Sequence, residues 1–195
     1  MEFLKIQITK KNTLNVTFKD DACNIVTVVG GNIVHKDLKT CMNALIPHLS
    51  LLTEQREAEN RTLKDLENDR LQDGNSRSVF KRMTVDTLTL SEDECNVVMS
   101  GQRILQNGMI IKVESPQIGT ADGERYDYCS ELFMAVNAVI YEAKQYWEEK
   151  KWGIKEGDLD FAAEDPFEGK VATGDVPDAG APKKRGRKSK KEEAA

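Results

Sequence analysis

No run of eighteen apolar residues occurs in this 195-residue chain, so no segment has the length and hydrophobicity of a membrane-spanning helix. A positively charged start followed by an apolar stretch is also missing, and no cleaved secretory leader is expected. The sequons Asn15-Val16-Thr17 and Asn60-Arg61-Thr62 therefore read as chance matches. Cysteine is sparse: Cys23, Cys41, Cys95 and Cys129 are far apart and form no Cys-x-x-Cys pair. That spacing fits reduced thiols in an intracellular chain better than a disulfide framework or a zinc site. His35 and His48 lie thirteen residues apart on what reads as one helix, too scattered for clustered metal ligands. Neither a metal nor a cofactor is expected, and no spacing marks a catalytic pair, so the chain reads as non-enzymatic.

Apolar residues are also scarce, at 39%, while charged residues reach 31%. The apolar ones must be concentrated in one part of the chain. Residues 1–155 carry 20 basic and 23 acidic side chains. Residues 156–182 hold eight acids against the single cation Lys170, with scattered Gly and Pro and no apolar periodicity. Residues 183–191 then place seven cations in nine positions. The division predicts a globular body over 1–155, an acidic disordered linker over 156–182 and a basic tail over 183–195.

Within the body, periodicity predicts an α+β fold of antiparallel strand meanders, each followed by a helix, in two similar halves, 1–73 and 74–155. In the first half, Phe3, Lys5 and Gln7 alternate with Leu4, Ile6 and Ile8; Leu14, Val16 and Phe18 follow, then the apolar run Ile25–Val29. Gly30-Gly31-Asn32 reads as a strand-to-helix turn, since it lacks the further Gly and Lys-Ser/Thr of a phosphate loop. Leu38, Met42, Leu45, Leu49 and Leu52 form a helical stripe that Pro47 should kink or divide. The charged stretch from Glu54 to Asp73 reads as a helix in solvent or a mobile connector. In the second half, Met83, Val85, Thr87 and Thr89 are expected on one face and Leu88 and Leu90 on the other. Asn107-Gly108 between apolar runs predicts a hairpin. A long helix is predicted over residues 127–151, with Leu132, Val136, Val139 and Ala143 on its apolar face.

Candidate sites in the body have plain structural explanations. Ser91-Glu92-Asp93-Glu94 reads as a solvated turn or helix start. Tyr126, Tyr128, Tyr141, Tyr146, Trp147 and Trp152 alternate with lysines and could stack bases, but helical spacing favours the core. The body is expected to self-associate or bind a protein partner, through Leu38–Leu52 or the Trp147 face.

The basic tail differs, because no folded role accounts for seven mutually repelling cations, and a polyanion relieves that repulsion by counterion exchange. Lys183, Lys184, Arg185, Gly186, Arg187, Lys188, Lys190 and Lys191 are therefore the candidate nucleic-acid contacts. Lys184-Arg185-Gly186-Arg187-Lys188 resembles the AT-hook, a motif that lays an Arg-Gly-Arg core in the minor groove of A·T-rich DNA. The resemblance covers under a tenth of the chain, and Pro182 is its nearest proline. It implies that Arg185, Gly186 and Arg187 enter the groove. The same string resembles a nuclear-import signal, and basic clusters also bind anionic lipid or acidic proteins. The hairpin from Ser100-Gly101-Gln102-Arg103 to Ser115-Pro116, with the acidic-aromatic helix after it, is similar to small phage and mobile-element proteins.

The expectation is a DNA-binding accessory protein of replication, recombination or packaging. It would be nucleoid-associated in a bacterial or phage setting and nuclear in a eukaryote. The alternative is an assembly factor or inhibitor whose body binds a protein and whose tail only solubilises or targets it. The tethered linker acids are expected to compete with DNA for the tail cations.

Overall fold

The computed structural model describes residues 2–71, 78–92 and 95–153. Three strands come first: β1 (Glu2–Ile8), β2 (Thr13–Lys19) and β3 (Ile25–Ile33). Helices α1 (Lys36–Ala44), α2 (Ile46–Leu52) and α3 (Leu63–Asn68) follow. Strands β4 (Met83–Leu90), β5 (Asn96–Ile104), β6 (Ile110–Glu114) and β7 (Ile118–Gly119) then lead to α4 (Cys129–Glu148). The protein is thus mixed α+β, as its periodicity predicts.

The strands form one antiparallel sheet in the order β3-β2-β1-β4-β5-β6, with β7 also pairing with β5. The first strands of the two halves, β1 and β4, pair at the centre, with Ile6 opposite Leu88. Each half then runs outward as a meander. β6 and β7 share one side of β5, with Ser115-Pro116 between them. Proline has no N–H for the ladder. Here the Ser115 hydroxyl accepts from the Met99 amide at 3.0 Å and donates to the Pro116 carbonyl at 2.9 Å, bridging the break.

One sheet face carries the core and is capped by helices, while the other is open. Phe3, Ile6, Leu14, Leu88 and Met99 meet Leu38, Met42, Leu49, Leu132 and Val139 in a single cluster. Two bulges alter the predicted faces. A register shift between Phe3 and Lys5 buries Phe3 beside Ile6 and turns Lys5 and Gln7 outward. A second shift between Val85 and Thr87 puts Met83, Val85, Leu88 and Leu90 all in the core. One inserted residue reverses every later side chain, so strict alternation misassigns both strands.

The helices follow the stripe, with corrections at its ends. The chain breaks into α1 and α2 at Leu45, with Pro47 in the first turn of α2, where its missing N–H costs nothing. The stretch expected to be a solvated helix or connector instead holds α3, closed by a capping box between Thr62 and Asp65 and anchored by buried Leu63 and Leu66. Glu57, before α3, takes two hydrogen bonds from Arg103 Nη2 at 2.7 and 2.9 Å, fastening this segment to β5. In the β5–β6 hairpin only Gly108 takes positive φ, 81°, and its amide bonds the Leu105 carbonyl. The turn therefore uses one left-handed residue, not the two that Asn-Gly permits.

Candidate functional site

The predicted tail contacts, from Lys183 to Lys191, lie outside the described residues, as do the acidic linker and the carboxylates Asp93 and Glu94. The described chain ends at a fixed point. After α4, Lys150 takes positive φ and turns the backbone. Trp152 then pairs with Val34, and the Gly153 amide bonds the Ile33 carbonyl at 2.8 Å. Lys151 Nζ reaches Asp37 and Glu142, both at 2.8 Å, and Trp152 Nε1 donates to the Tyr146 carbonyl at 3.2 Å. These contacts hold the Asp37 carboxyl below the usual carboxylate range, chiefly through Lys151. Residues 151–153 thus bind the end of the body to β3, α1 and α4.

The open sheet face carries a shallow groove of about 540 Å³, lined by Lys5, Gln7, Thr89, Ser100, Gln102 and Lys112 among others. Its lining includes no aromatic side chain. Two of this face's cations are paired: Lys19 with Glu92 at 3.1 Å and Lys112 with Glu114 at 3.0 Å. Glu114 is pulled below the usual carboxylate range, first by Lys112 and then by the Ser100 hydroxyl. Hydroxyls, amides and neutralised charges suit hydrogen bonding but supply little attraction for a polyanion.

The aromatics divide between core and surface. Tyr126 and Tyr146 are buried; Tyr146 donates to the Asn32 carbonyl, and Tyr126 meets His48 Nδ1 at 2.7 Å. Tyr141 and Trp152 are exposed, and Trp147 packs partly into the core beside Tyr146. The six do not form a base-stacking platform. Tyr146 also explains Gly30: a Cβ there would lie 2.7 Å from the Tyr146 hydroxyl and 2.5 Å from the Leu14 carbonyl. Gly30-Gly31-Asn32 thus lies inside β3 as a close-approach site, not as the predicted turn into α1. His35 begins α1, its Nδ1 accepting from the Asp37 amide.

Cys129 is buried, donates to the Gly119 carbonyl at 3.2 Å and is pushed toward its protonated form by burial. Burial likewise raises Cys41. Among the described residues no group of three or more His, Cys, Asp and Glu is placed to hold a metal ion. None of their helices is long and apolar enough to cross a membrane. The stripe Leu38, Met42, Leu45 and Leu49 faces the protomer's own core, and Leu52 at its end is partly buried. Exposed apolar side chains gather instead at the β5–β6 hairpin (Ile104, Met109, Ile110, Ile111) and on α4 (Met134, Tyr141). No family model matches the chain, and neither a curated protein nor a solved structure matches it.

Proposed function

We propose that this is a DNA-binding accessory protein in which the basic tail supplies the phosphate or minor-groove contacts. The observation that carries the reading is the run of seven cations over residues 183–191. The body supports it by contrast: residues 1–155 are net acidic, and the open face pairs Lys19 and Lys112 with carboxylates. A polyanion would meet unneutralised positive charge first in the tail. Lys183, Lys184, Arg185, Arg187, Lys188, Lys190 and Lys191 then act as phosphate ligands, with Gly186 allowing close approach.

The test is fluorescence anisotropy with duplex and single-stranded DNA over a salt series, comparing the full chain with a variant carrying all seven cations as glutamine. Seven engaged phosphates predict a log–log salt slope near about −6 for the full chain, at about −0.9 per contact. The glutamine variant is expected to lose the binding. Equal binding by both would place the contact in the body and overturn the reading. Binding by neither would favour the interaction-protein alternative, for which the exposed hairpin residues Ile104, Met109, Ile110 and Ile111 offer a surface.

A further inference from the structure

We propose that β3 is a self-association edge, on which the β3 of a second copy of this chain pairs antiparallel about a two-fold axis through Thr27. β3 ends the sheet, and among the described residues the only strand it pairs with is β2. Folded proteins guard such edges with short strands, lysine or proline, because a row of free amides and carbonyls templates another strand. The opposite edge is guarded in this way: β6 has five residues and carries the Lys112–Glu114 ion pair. β3 runs for nine residues, Ile-Val-Thr-Val-Val-Gly-Gly-Asn-Ile, with neither charge nor proline. Its apolar side chains Ile25 and Val29 are 65% and 72% exposed.

The ladder to β2 shows which backbone groups of that edge are free. At the mouth of the β2–β3 turn the Asp20 amide bonds the Asn24 carbonyl at 3.0 Å. Opposed pairs in an antiparallel ladder alternate between bonded and non-bonded. Counting from Asp20, the pairs Lys19–Ile25, Thr17–Thr27 and Asn15–Val29 are the non-bonded ones. The amides and carbonyls of Ile25, Thr27 and Val29 therefore point away from β2. The closer spacing of a non-bonded pair also fits the 3.0 Å contact between the Thr17 and Thr27 hydroxyls. Further along, the edge closes, because the Ile33 carbonyl takes the Gly153 amide at 2.8 Å and Trp152 pairs with Val34. What remains open is a short window, and a long extended partner would run into residues 152–153.

The window fits a second copy of itself. A two-fold interface uses one patch on both partners, so the patch must be self-complementary. Ile25-Val26-Thr27-Val28-Val29 reads nearly the same from either end. Antiparallel pairing about Thr27 sets Ile25 opposite the partner's Val29, Val26 opposite the partner's Val28, and Thr27 opposite the partner's Thr27. The three outward-pointing residues of each copy then meet as bonded pairs and exchange about six backbone hydrogen bonds. Ile25 and Val29 cover each other twice on the open face, as cross-strand apolar pairs do. Beyond Ile25 the partner's chain leaves the edge through its own turn, where Cys23 takes positive φ. The row Thr89, Lys5, Thr17 and Thr27 on the open face continues into its symmetry mate, so the two sheets become one. Five residues a side make a small interface, which places the dimer in the weak, concentration-dependent class.

Sedimentation velocity of the full chain at physiological salt, from low micromolar to several hundred micromolar, tests the pairing. The wild-type chain should shift from monomer to dimer across that range. Thr27→Pro removes an amide that faces away from β2, so it should spare the β2–β3 ladder and abolish the dimer. The register is tested by two double variants at exposed positions, whose folding circular dichroism verifies. Ile25→Lys with Val29→Lys sets like charges opposite each other twice and should weaken dimerisation by at least about tenfold. Ile25→Lys with Val29→Glu changes the same two positions but sets each lysine opposite the partner's glutamate, and should dimerise at least about tenfold better than the lysine pair. Hydrogen exchange should show the Ile25, Thr27 and Val29 amides protected only at the higher concentrations. A chain that stays monomeric throughout overturns the proposal. So does a dimer in which the two double variants behave alike, or protection of these amides that does not depend on concentration, which would mean that the chain covers its own edge.

Discussion

The two helical caps of the sheet start from the same apolar periodicity and end with different surfaces. The first is cut at Leu45 into α1 and α2, and Pro47 in the new first turn keeps both segments short. Every large apolar residue from Leu38 to Leu49 on its stripe is buried. The second, α4, runs unbroken for 20 residues and carries both a buried stripe and exposed Met134 and Tyr141. A broken helix can turn each piece toward the core, whereas a continuous one keeps a full outer side in solvent. The apolar residues on that outer side therefore do nothing for folding of the monomer.

The sharpest break in this comparison is expected from truncating one residue of each kind. Leu49→Ala removes a fully buried side chain packed between helix and sheet and should cost about 2–5 kcal/mol, through lost transfer energy and the cavity left behind. Met134→Ala should change monomer stability by no more than about 0.5 kcal/mol, because its side chain is mostly in water already. Urea denaturation of both variants at low protein concentration measures the pair. Comparable losses would mean that α4 has no spare face.

A pH experiment probes where the two caps meet. His48 on α2 is buried against Tyr126, just ahead of α4, and burial pushes its imidazole down to about 4 from an ordinary 6.5. The nearby Glu131 opposes that shift only partly. Burial also raises Tyr126, so the phenol stays protonated and donates to the unprotonated Nδ1. The folded state thus binds a proton less readily than the unfolded one. The stability His48 contributes is complete above about pH 6.5 and falls as pH drops toward 4. Between pH 7 and pH 5 the loss should be about 1–2 kcal/mol, the lower part of what a shift of this size permits at 1.36 kcal/mol per unit. Asp37 and Glu114 are lowered carboxylates whose stabilisation is lost only at more acidic pH. His48→Gln should flatten the slope between pH 7 and 5; an unchanged slope would assign it elsewhere.

The features legible in the sequence were those set by local chemistry. The Asn107-Gly108 hairpin, the division at Pro47 and the buried face of α4 each follow from a few neighbouring residues. The bulges after Phe3 and Val85 are not legible in that sense, since each is a feature of how two strands pair, β1 with β2 and β4 with β5, and leaves no mark in either strand's own residues. Gly30-Gly31 reads as a strand end until Tyr146, more than a hundred residues on, is seen to need the space. The same limit applies to the surface. Tyr141 and Tyr146 belong to one aromatic series in the sequence, yet one is exposed and the other buried. Which is which depends on the face of α4 that the sheet takes. The tail is the opposite case, with its charge density complete in nine consecutive residues.

Tyr146 supplies a smaller effect than His48 and the finest test of how α4 is held. Its hydroxyl donates to the Asn32 carbonyl in the irregular end of β3, while its ring packs against Trp147 and above Gly30. Tyr146→Phe keeps the ring and removes only the hydroxyl, leaving the Asn32 carbonyl to find water at the exposed edge. A loss of about 1 kcal/mol is expected, the net worth of an ordinary hydrogen bond, with no loss of helix. Gly30→Ala acts on the same contact from the strand side, since the new Cβ would collide with both the hydroxyl and the Leu14 carbonyl. If the tyrosine holds β3 to α4, Gly30→Ala should be the more damaging change, and adding Tyr146→Phe should recover part of its loss by clearing the hydroxyl. Strict additivity of the two in a double-mutant cycle would show that they do not share the contact.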